Sequence, residues 1–510
     1  MHPSAHAVST PYKAAIVMAR TGQQLSYAEL DALSNRYAHG LRAIGLSKGD
    51  TVAICLPNTI TFIPLVWAAH RAGLRYVCIS SRLTRDELTY ILHDSAARAL
   101  IISPDVETGR ENTVADVPDT RIFTLGGPIS DLPSFESVSV DLPATPLPDQ
   151  SAGTEMLYSS GTTGRPKGIA LPFETDDILQ PDALTMMAAG LFGISDTSVY
   201  LSPAPLYHAA PLRWTMAVHR LGGTAIIMEG FDAELALASI QKYRVTAGQF
   251  VPTHFVRMLK LPEDVRTAYD VSSIKLAIHA AAPCPVPVKE AMIDWWGPVL
   301  TEYYAGTEGN GLTMISSPEW LTHKGSVGRS VLGQARICDE DGEELPVGEV
   351  GQIYFSDGRA FSYHNDPDKT SETMNRHGWS SLGDIGRLDD EGYLYLTDRK
   401  SFTIISGGVN IYPQEIENLL IQHPAVTDVA VVSAPCPEMG EQVVAVIQPA
   451  HWTDSDELQT LLAEELRTWT RSRLSGVKTP CRFDFMPQLP RHDTGKLYKR
   501  LLRDKYWADA

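Results

Sequence analysis

The sequence predicts an α/β protein with a large N-terminal domain, made of two α/β sheets and a small β subdomain, followed by a small α/β C-terminal domain. Three observations carry this. Helical stretches alternate with short buried-strand runs through most of the chain, the rhythm turns to short β segments from Gly351, and a compact mixed unit begins after Asp398. At 510 residues the chain exceeds what one hydrophobic core organises.

The elements follow in order. Leu30, Leu33, Tyr37, Leu41 and Ile44 recur at helical spacing within Ala28 to Leu46, and VAICL then reads as a strand closed by Pro57. YVCIS is strand-like, Thr84 with Glu87 forms a capping-box signature, and ALIIS is the next strand. TAIIM, GQFVP and KLAIHA extend the same pattern. The prolines of DLPATPLPD read as a surface crossing within one body, because the α/β rhythm resumes unchanged beyond them. GQIYFS and GYLYLT, separated by Gly and Asp turns, make the β subdomain. After Asp398 come a helix near Pro413 to Gln422, strands VTDVAVVS and QVVAVIQ, a helix near Ser455 to Leu474, and the strand RFDFM.

Composition narrows the function classes. Hydrophobic residues at 44% and charged residues at 20% match ordinary globular usage. A net charge of −18 repels phosphate backbones and anionic membrane surfaces, so nucleic acid is an unexpected partner, and any polyanionic ligand must meet a local cluster of amides and cations. The six cysteines stand singly with no CxxC pair, which signals neither zinc nor a disulfide framework. The opening MHPSAHAVSTPYK lacks a signal-peptide core, and no apolar run approaches bilayer length. A cytoplasmic protein without integral membrane association is expected.

The segment YSSGTTGRPKG, Tyr158 to Gly168, packs three glycines, four aliphatic hydroxyls and Lys167 directly after a strand. Glycines let backbone amides approach a phosphate closely, while Ser and Thr add donors. It is no Walker A motif, because Pro166 stands where GxxxxGK[ST] needs glycine. Further strings follow downstream: PLYHAAP from Pro205, AIHAAAP from Ala277, EYYAGTEG from Glu302, GWSSLGDIG and DRKSFTIISGGVNIYPQEIE around Asp384 and Arg399, and LPRHDTGKLYKR from Leu489.

Their order and spacing resemble the adenylate-forming superfamily of acyl- and aryl-CoA synthetases, luciferases and peptide-synthetase adenylation domains, nearest the fatty-acyl and aryl-CoA ligases. The resemblance covers nearly the whole chain and divides it into 1–399 and a mobile 400–510. It implies that Ser159, Ser160, Gly161, Thr162, Thr163, Gly164 and Lys167 hold ATP phosphates. It implies Mg²⁺ at Thr307 and Glu308, suited to a cation that takes few protein oxygens and otherwise keeps water and phosphate. Nucleotide contacts are implied for Ala280, Ala281, Pro283, Glu302, Tyr303 and Tyr304. Asp384 corresponds to the acceptor of both ribose hydroxyls, and Arg399 to its cationic partner.

His208 takes the place between acyl carboxylate and thiol tunnel, Gly407 and Gly408 border the pantetheine arm, and Lys496 is the adenylation lysine. The implied ligands are therefore a carboxylic acid, ATP, CoA and Mg²⁺, with a homodimer left open. Two departures stand out: YAGTE replaces the usual YGxTE, and Ala280 stands near a place where glycine is common. The hinge aligns with Ser401, beside Lys400. Tyr207, His208, Trp214, Phe250, Thr253, His254 and Ile278 to Ala281 are candidate acyl-pocket residues, compatible with medium-chain, aryl or alicyclic acids. A carrier-protein-loading adenylating enzyme would share every ATP motif, and a non-catalytic acyl or nucleotide binder is opposed by the presence of Lys496, Asp384 and Glu308 together.

Overall fold

The computed structural model describes residues 1–106, 117–159, 166–491 and 497–508. Among them the strands gather into three sheets, of thirteen, six and five strands. The thirteen-stranded sheet positions the site. Its parallel part includes Val199–Ser202 (β1), Ala247–Phe250 (β2), Leu276–His279 (β3) and Leu300–Ala305 (β4), with Ala247 opposite Tyr200, Gln249 opposite Ile278 and His279 opposite Glu302. Beyond β4 the pairing turns antiparallel through Leu312–Ser316 (β5) and Ser326–Leu332 (β6) to Asp384–Leu388 (β7) and Leu394–Arg399 (β8).

The short β segments expected as a subdomain are thus joined edge to edge with the parallel strands, through β5 and β6. Glycine makes the junction possible. Gly328 sits at φ +96°, where the β6 register slips, and a side chain there would overlap the Met314 carbonyl.

Helix α1 (Ala209–Arg220) lies between two sheets because two of its faces are apolar. Leu212 and Met216 pack with Tyr76 and Leu157 of the six-stranded sheet, while Trp214, Ala217 and Val218 pack with Tyr200, Ala247 and Ile278. The other face of β2 to β4 is closed by helices α2 (Pro252–Leu259) and α3 (Val286–Trp296), whose Phe255, Met292 and Trp296 cluster with Phe250. The Thr84 and Glu87 capping box is present, with both reciprocal hydrogen bonds. The proline-rich crossing leads back into the six-stranded sheet, which holds both Arg121–Thr124 and Thr154–Ser159.

β8 ends at Arg399, a 3-10 turn spans Lys400–Phe402, and the five-stranded sheet begins at Ile404. That smaller domain carries helices Pro413–Leu420, Asp456–Arg471 and Lys499–Ala508. Lys260, just past α2, reaches it: the ammonium donates to the Val426 carbonyl at 2.6 Å and to that of Thr427 at 3.3 Å. No helix among the described residues is long and apolar enough to cross a membrane.

Candidate nucleotide and acyl site

The ribose end is built from a strand pair. Asp384 and Arg399 are register partners across β7 and β8, so their side chains emerge together. Arg399 Nε donates to Asp384 Oδ1 at 3.0 Å, and the Tyr304 hydroxyl donates to Oδ2 at 2.7 Å. Each carboxylate oxygen keeps a further lone pair, enough for one hydroxyl of a vicinal diol. The Asp384 carboxylate raises the Arg399 pKa further, and burial pushes the Tyr304 phenol well up, so both partners hold their protons. Phe355 stacks on Tyr304 with ring centroids 6.1 Å apart.

At the phosphate end, Thr154–Ser159 pairs antiparallel with Lys167–Ala170, Ser159 facing Lys167, so the intervening loop is tied at its stem. Tyr363 donates to Glu308 Oε1 at 2.9 Å and places its ring under the Lys167 ammonium, 4.9 Å from the centroid. Burial, then the charge of Lys369, lowers the Lys167 pKa. A cavity of about 370 Å³ opens here, lined by Lys167, Tyr363, His364, Asp366 and Lys369 among others.

The YAGTE departure has a steric explanation. Ala305 is the last residue of β4, whereas a methyl on Gly306 would strike the Leu382 side chain and approach Glu308 Oε2 at 2.7 Å. Among the described residues no three His, Cys, Asp or Glu side chains gather to hold a metal. One carboxylate with one hydroxyl suits a hard cation held mostly by phosphate oxygens.

His208 is the N-cap residue of α1, its ring 4.2 Å from that of Tyr207. Trp214 meets Phe192 edge-on at 5.0 Å and lies 6.5 Å from Tyr303, with Ile278 in the same cluster. Five expectations need correction. Phe250 and His254 lie on the far face: Phe250 packs on Phe255 and Trp296, while His254 stacks on Phe231 at 3.9 Å. Thr253 stands in the first turn of that same helix α2.

Glu302, expected beside the nucleotide, has its carboxylate 2.6 Å from Lys289 Nζ and 3.7 Å from His279 Nε2, all three buried against α3. Tyr303, also expected there, faces the opposite way into the Trp214 cluster. The cause is strand alternation, which sends neighbours to opposite faces. Ala280 is buried at the end of β3, and the left-handed position is Ala281, at φ +77°. Pro283 follows half-buried.

Sequence reasoning missed Arg213 and Glu155. Arg213 Nε donates to Glu155 Oε1, and the guanidinium lies within electrostatic reach of Tyr76 and Tyr303. A charged residue between Leu212 and Trp214, amid the apolar first turns of helix α1, was the available signal.

In the smaller domain, Gly407 and Gly408 form the turn between Ile404–Ser406 and Val409–Ile411, at φ +56° and +81°, and both are exposed. The Gly407 amide donates to the Met439 carbonyl at 2.8 Å. A methyl on Gly408 would meet nothing within 4 Å. At the expected hinge, the Lys400 amide donates to the Gly383 carbonyl at 2.9 Å, with Ser401 next in the turn. Ser160, Gly161, Thr162, Thr163, Gly164 and Lys496 lie outside the described residues.

Comparison with known proteins adds the following. The family model for AMP-binding enzyme matches residues 4–361, and that for the AMP-binding enzyme C-terminal domain matches 415–496. A long-chain-fatty-acid–CoA ligase, FadD13 of Mycobacterium tuberculosis, is 32% identical, the match covering 98% of this chain and 97% of that protein. A feruloyl-CoA synthase from an Amycolatopsis species is 33% identical over 95% and 94% of the two chains. The o-succinylbenzoate CoA synthetase MenE of Bacillus subtilis, solved with its acyl-adenylate, superposes with a TM-score of 0.80 at 27% identity, over 98% of this chain and 97% of that one.

Proposed function

The chain belongs to the AMP-binding enzyme family, and from that premise we propose that it is an ATP-dependent carboxylic acid:CoA ligase. The acid's carboxylate attacks the α-phosphorus of ATP and displaces pyrophosphate, giving an acyl-adenylate. The CoA thiol then attacks the acyl carbon, loses its proton to water and displaces AMP. The observation that carries this reading is the Asp384 carboxylate, fixed from both sides by Arg399 and Tyr304 in a form suited to a ribose diol.

Each half-reaction has its residues. Lys167 and the loop 160–164 hold the phosphates, and Lys496 reduces the repulsion as carboxylate and phosphate meet. Thr307 and Glu308 hold Mg²⁺, which neutralises phosphate charge when bound. His208, at the N-terminus of α1, adjoins the acyl carboxylate, and helix amides favour negative charge there. The exposed Gly407 and Gly408 serve the thiol after rotation of 400–510 about Lys400 or Ser401. Six free cysteines fit a reducing cytoplasm.

The test separates the halves. Pyrophosphate release is measured over a panel of acids with and without CoA, and thioester formation from prepared acyl-AMP. Lys496→Ala should slow the first half about 100- to 1,000-fold and spare the second. Gly408→Leu should do the reverse, since a bulky side chain obstructs the pantetheine arm. Equal loss of both halves in both folded variants would refute the assignment.

A further inference from the structure

A smaller domain that serves two half-reactions needs something to hold it during each, and the following inference rests on the ligase reading. In the arrangement the structure shows, Gly407 and Gly408 are exposed, so the turn that serves the thiol is not engaged. On that reading this is the arrangement of the first half-reaction. Away from the covalent turn at 400–402, Lys260 spans the two domains, its ammonium donating to the carbonyls of Val426 and Thr427 at 2.6 and 3.3 Å. Its mounting is firm. Lys260 caps the C-terminal end of α2, and Phe255 and Met258 anchor that helix in the core of the large domain.

The two acceptors arise from a bulge at the start of strand Val426–Cys436 (β9). Val426 pairs with Pro449 and Asp428 with Gln448, so Thr427 is the extra residue. A bulge takes backbone out of the ladder, and here it offers successive carbonyls to one ammonium. The same strand end anchors the chain ahead of Lys496. Arg491 donates to Asp428 from both Nε and Nη2, the latter to Oδ1 at 2.5 Å, and Gln448 Oε1 accepts from the Leu489 amide at 3.1 Å. A two-pronged pair of this kind fixes direction as well as distance. Arg491 also pairs with Leu497 in an antiparallel bridge, and Leu497 directly follows Lys496 in the chain.

Lys260 thus grips, from the large domain, the strand end to which the stem of the Lys496 segment is tied. We propose that Lys260 is a positioning residue, a latch that holds the smaller domain where Lys496 meets the reacting phosphate and lets go before the thiol step. Its chemistry suits release. An exposed ammonium on a flexible four-carbon stem exchanges carbonyls for water at little cost, whereas a buried ion pair at the same place would resist separation.

The experiment uses the full chain and the acid that releases pyrophosphate fastest. Lys260→Met should slow single-turnover pyrophosphate release about tenfold, as befits lost charged hydrogen bonds, and leave KM for ATP unchanged. Thioester formation from prepared acyl-AMP should keep its rate or rise, because the domain leaves its first position sooner. Lys260→Arg, whose long cation still reaches a carbonyl, should restore most of the first half. Arg491→Met/Asp428→Asn should slow the first half too, and should add little to Lys260→Met because both lie on one path. With no ligand present, tryptic cleavage after Lys400 should quicken in Lys260→Met. An unchanged first half, an equal fall in both halves, or cleavage at the wild-type rate would overturn the latch. Failure of wild type to release pyrophosphate with any acid would instead overturn the ligase reading, while the cleavage rates would still report whether Lys260 holds the domain.

Discussion

The two faces of β2 to β4 are made by the same strands and have unlike characters. Towards α2 and α3 the face is filled: Phe250, Phe255, Met292 and Trp296 close over a Lys289, Glu302 and His279 cluster that is buried throughout. Towards α1 the face packs Tyr200, Trp214 and Ile278 with Phe192, Tyr303 is only partly buried beside them, and the Arg213 side chain stays 25% open. The difference teaches that paired charge sits at two depths: Lys289 is sealed against Glu302 under α2 and α3, whereas Arg213 on α1 meets Glu155 with a quarter of its side chain still open.

Variants on the two faces should therefore fail differently. The largest effect is expected on the filled face. Lys289→Met leaves Glu302 buried without its cation, and denaturant unfolding should show a loss of about 3 to 5 kcal/mol. Steady-state constants of the fraction that stays folded should change little, and a selective rise in KM for ATP would break the comparison.

Asp384→Ala, at the ribose end, should do the opposite. Calorimetric titration should show ATP and AMP binding weakened together by about 1.5 to 3 kcal/mol, as befits lost charge-assisted hydrogen bonds. Unchanged affinity for both nucleotides would remove Asp384 from the site.

Acid sharpens the contrast. Burial, then the Arg257 charge, holds the His254 pKa down at about 3, against 6.5 for an ordinary histidine. A depressed folded pKa gives stability that is present above 6.5 and is lost as pH falls towards 3, because the unfolded chain binds a proton that the folded one refuses. Below 6.5 this group alone costs about 1.4 kcal/mol per pH unit. Unfolding measured from pH 6 to 4, in wild type and His254→Gln, should show a shallower slope in the variant.

The smallest effect belongs to the strand end where the faces meet. Ala281 holds φ +77°, a conformation that disfavours any Cβ. Ala281→Gly should raise stability by about 0.5 to 1 kcal/mol after the unfolded-state entropy that glycine adds. A lower melting temperature in that variant would show that the methyl packs usefully.

Legibility followed the same division. The sequence singles out Asp384, Arg399 and Glu308 from local strings, and the structure brings Asp384 and Arg399 together as register partners of one strand pair. Phe250, His254, Glu302 and Tyr303 were misplaced because a string does not state which face its residues take. Glu302 and Tyr303 adjoin in sequence yet point apart, and only the packing of α1 and α3 settles which points where. Arg213 and Glu155 are 58 positions apart, a distance over which no local pattern speaks. The joining of β4 to β8 through β5 and β6 was likewise hidden, since edge pairing is a long-range property.

Arg399 is the last residue of β8, and the turn from which the smaller sheet hangs starts at the next position. A cavity of about 390 Å³ borders that turn, between Ser401, Phe402 and the helix carrying Lys499 and Trp507. The turn thus adjoins the side chain that holds the Asp384 carboxylate. On the proposed rotation about Lys400 or Ser401, the pivot and Arg399 of the Asp384 ion pair are consecutive in the chain, so whatever holds one restrains the other.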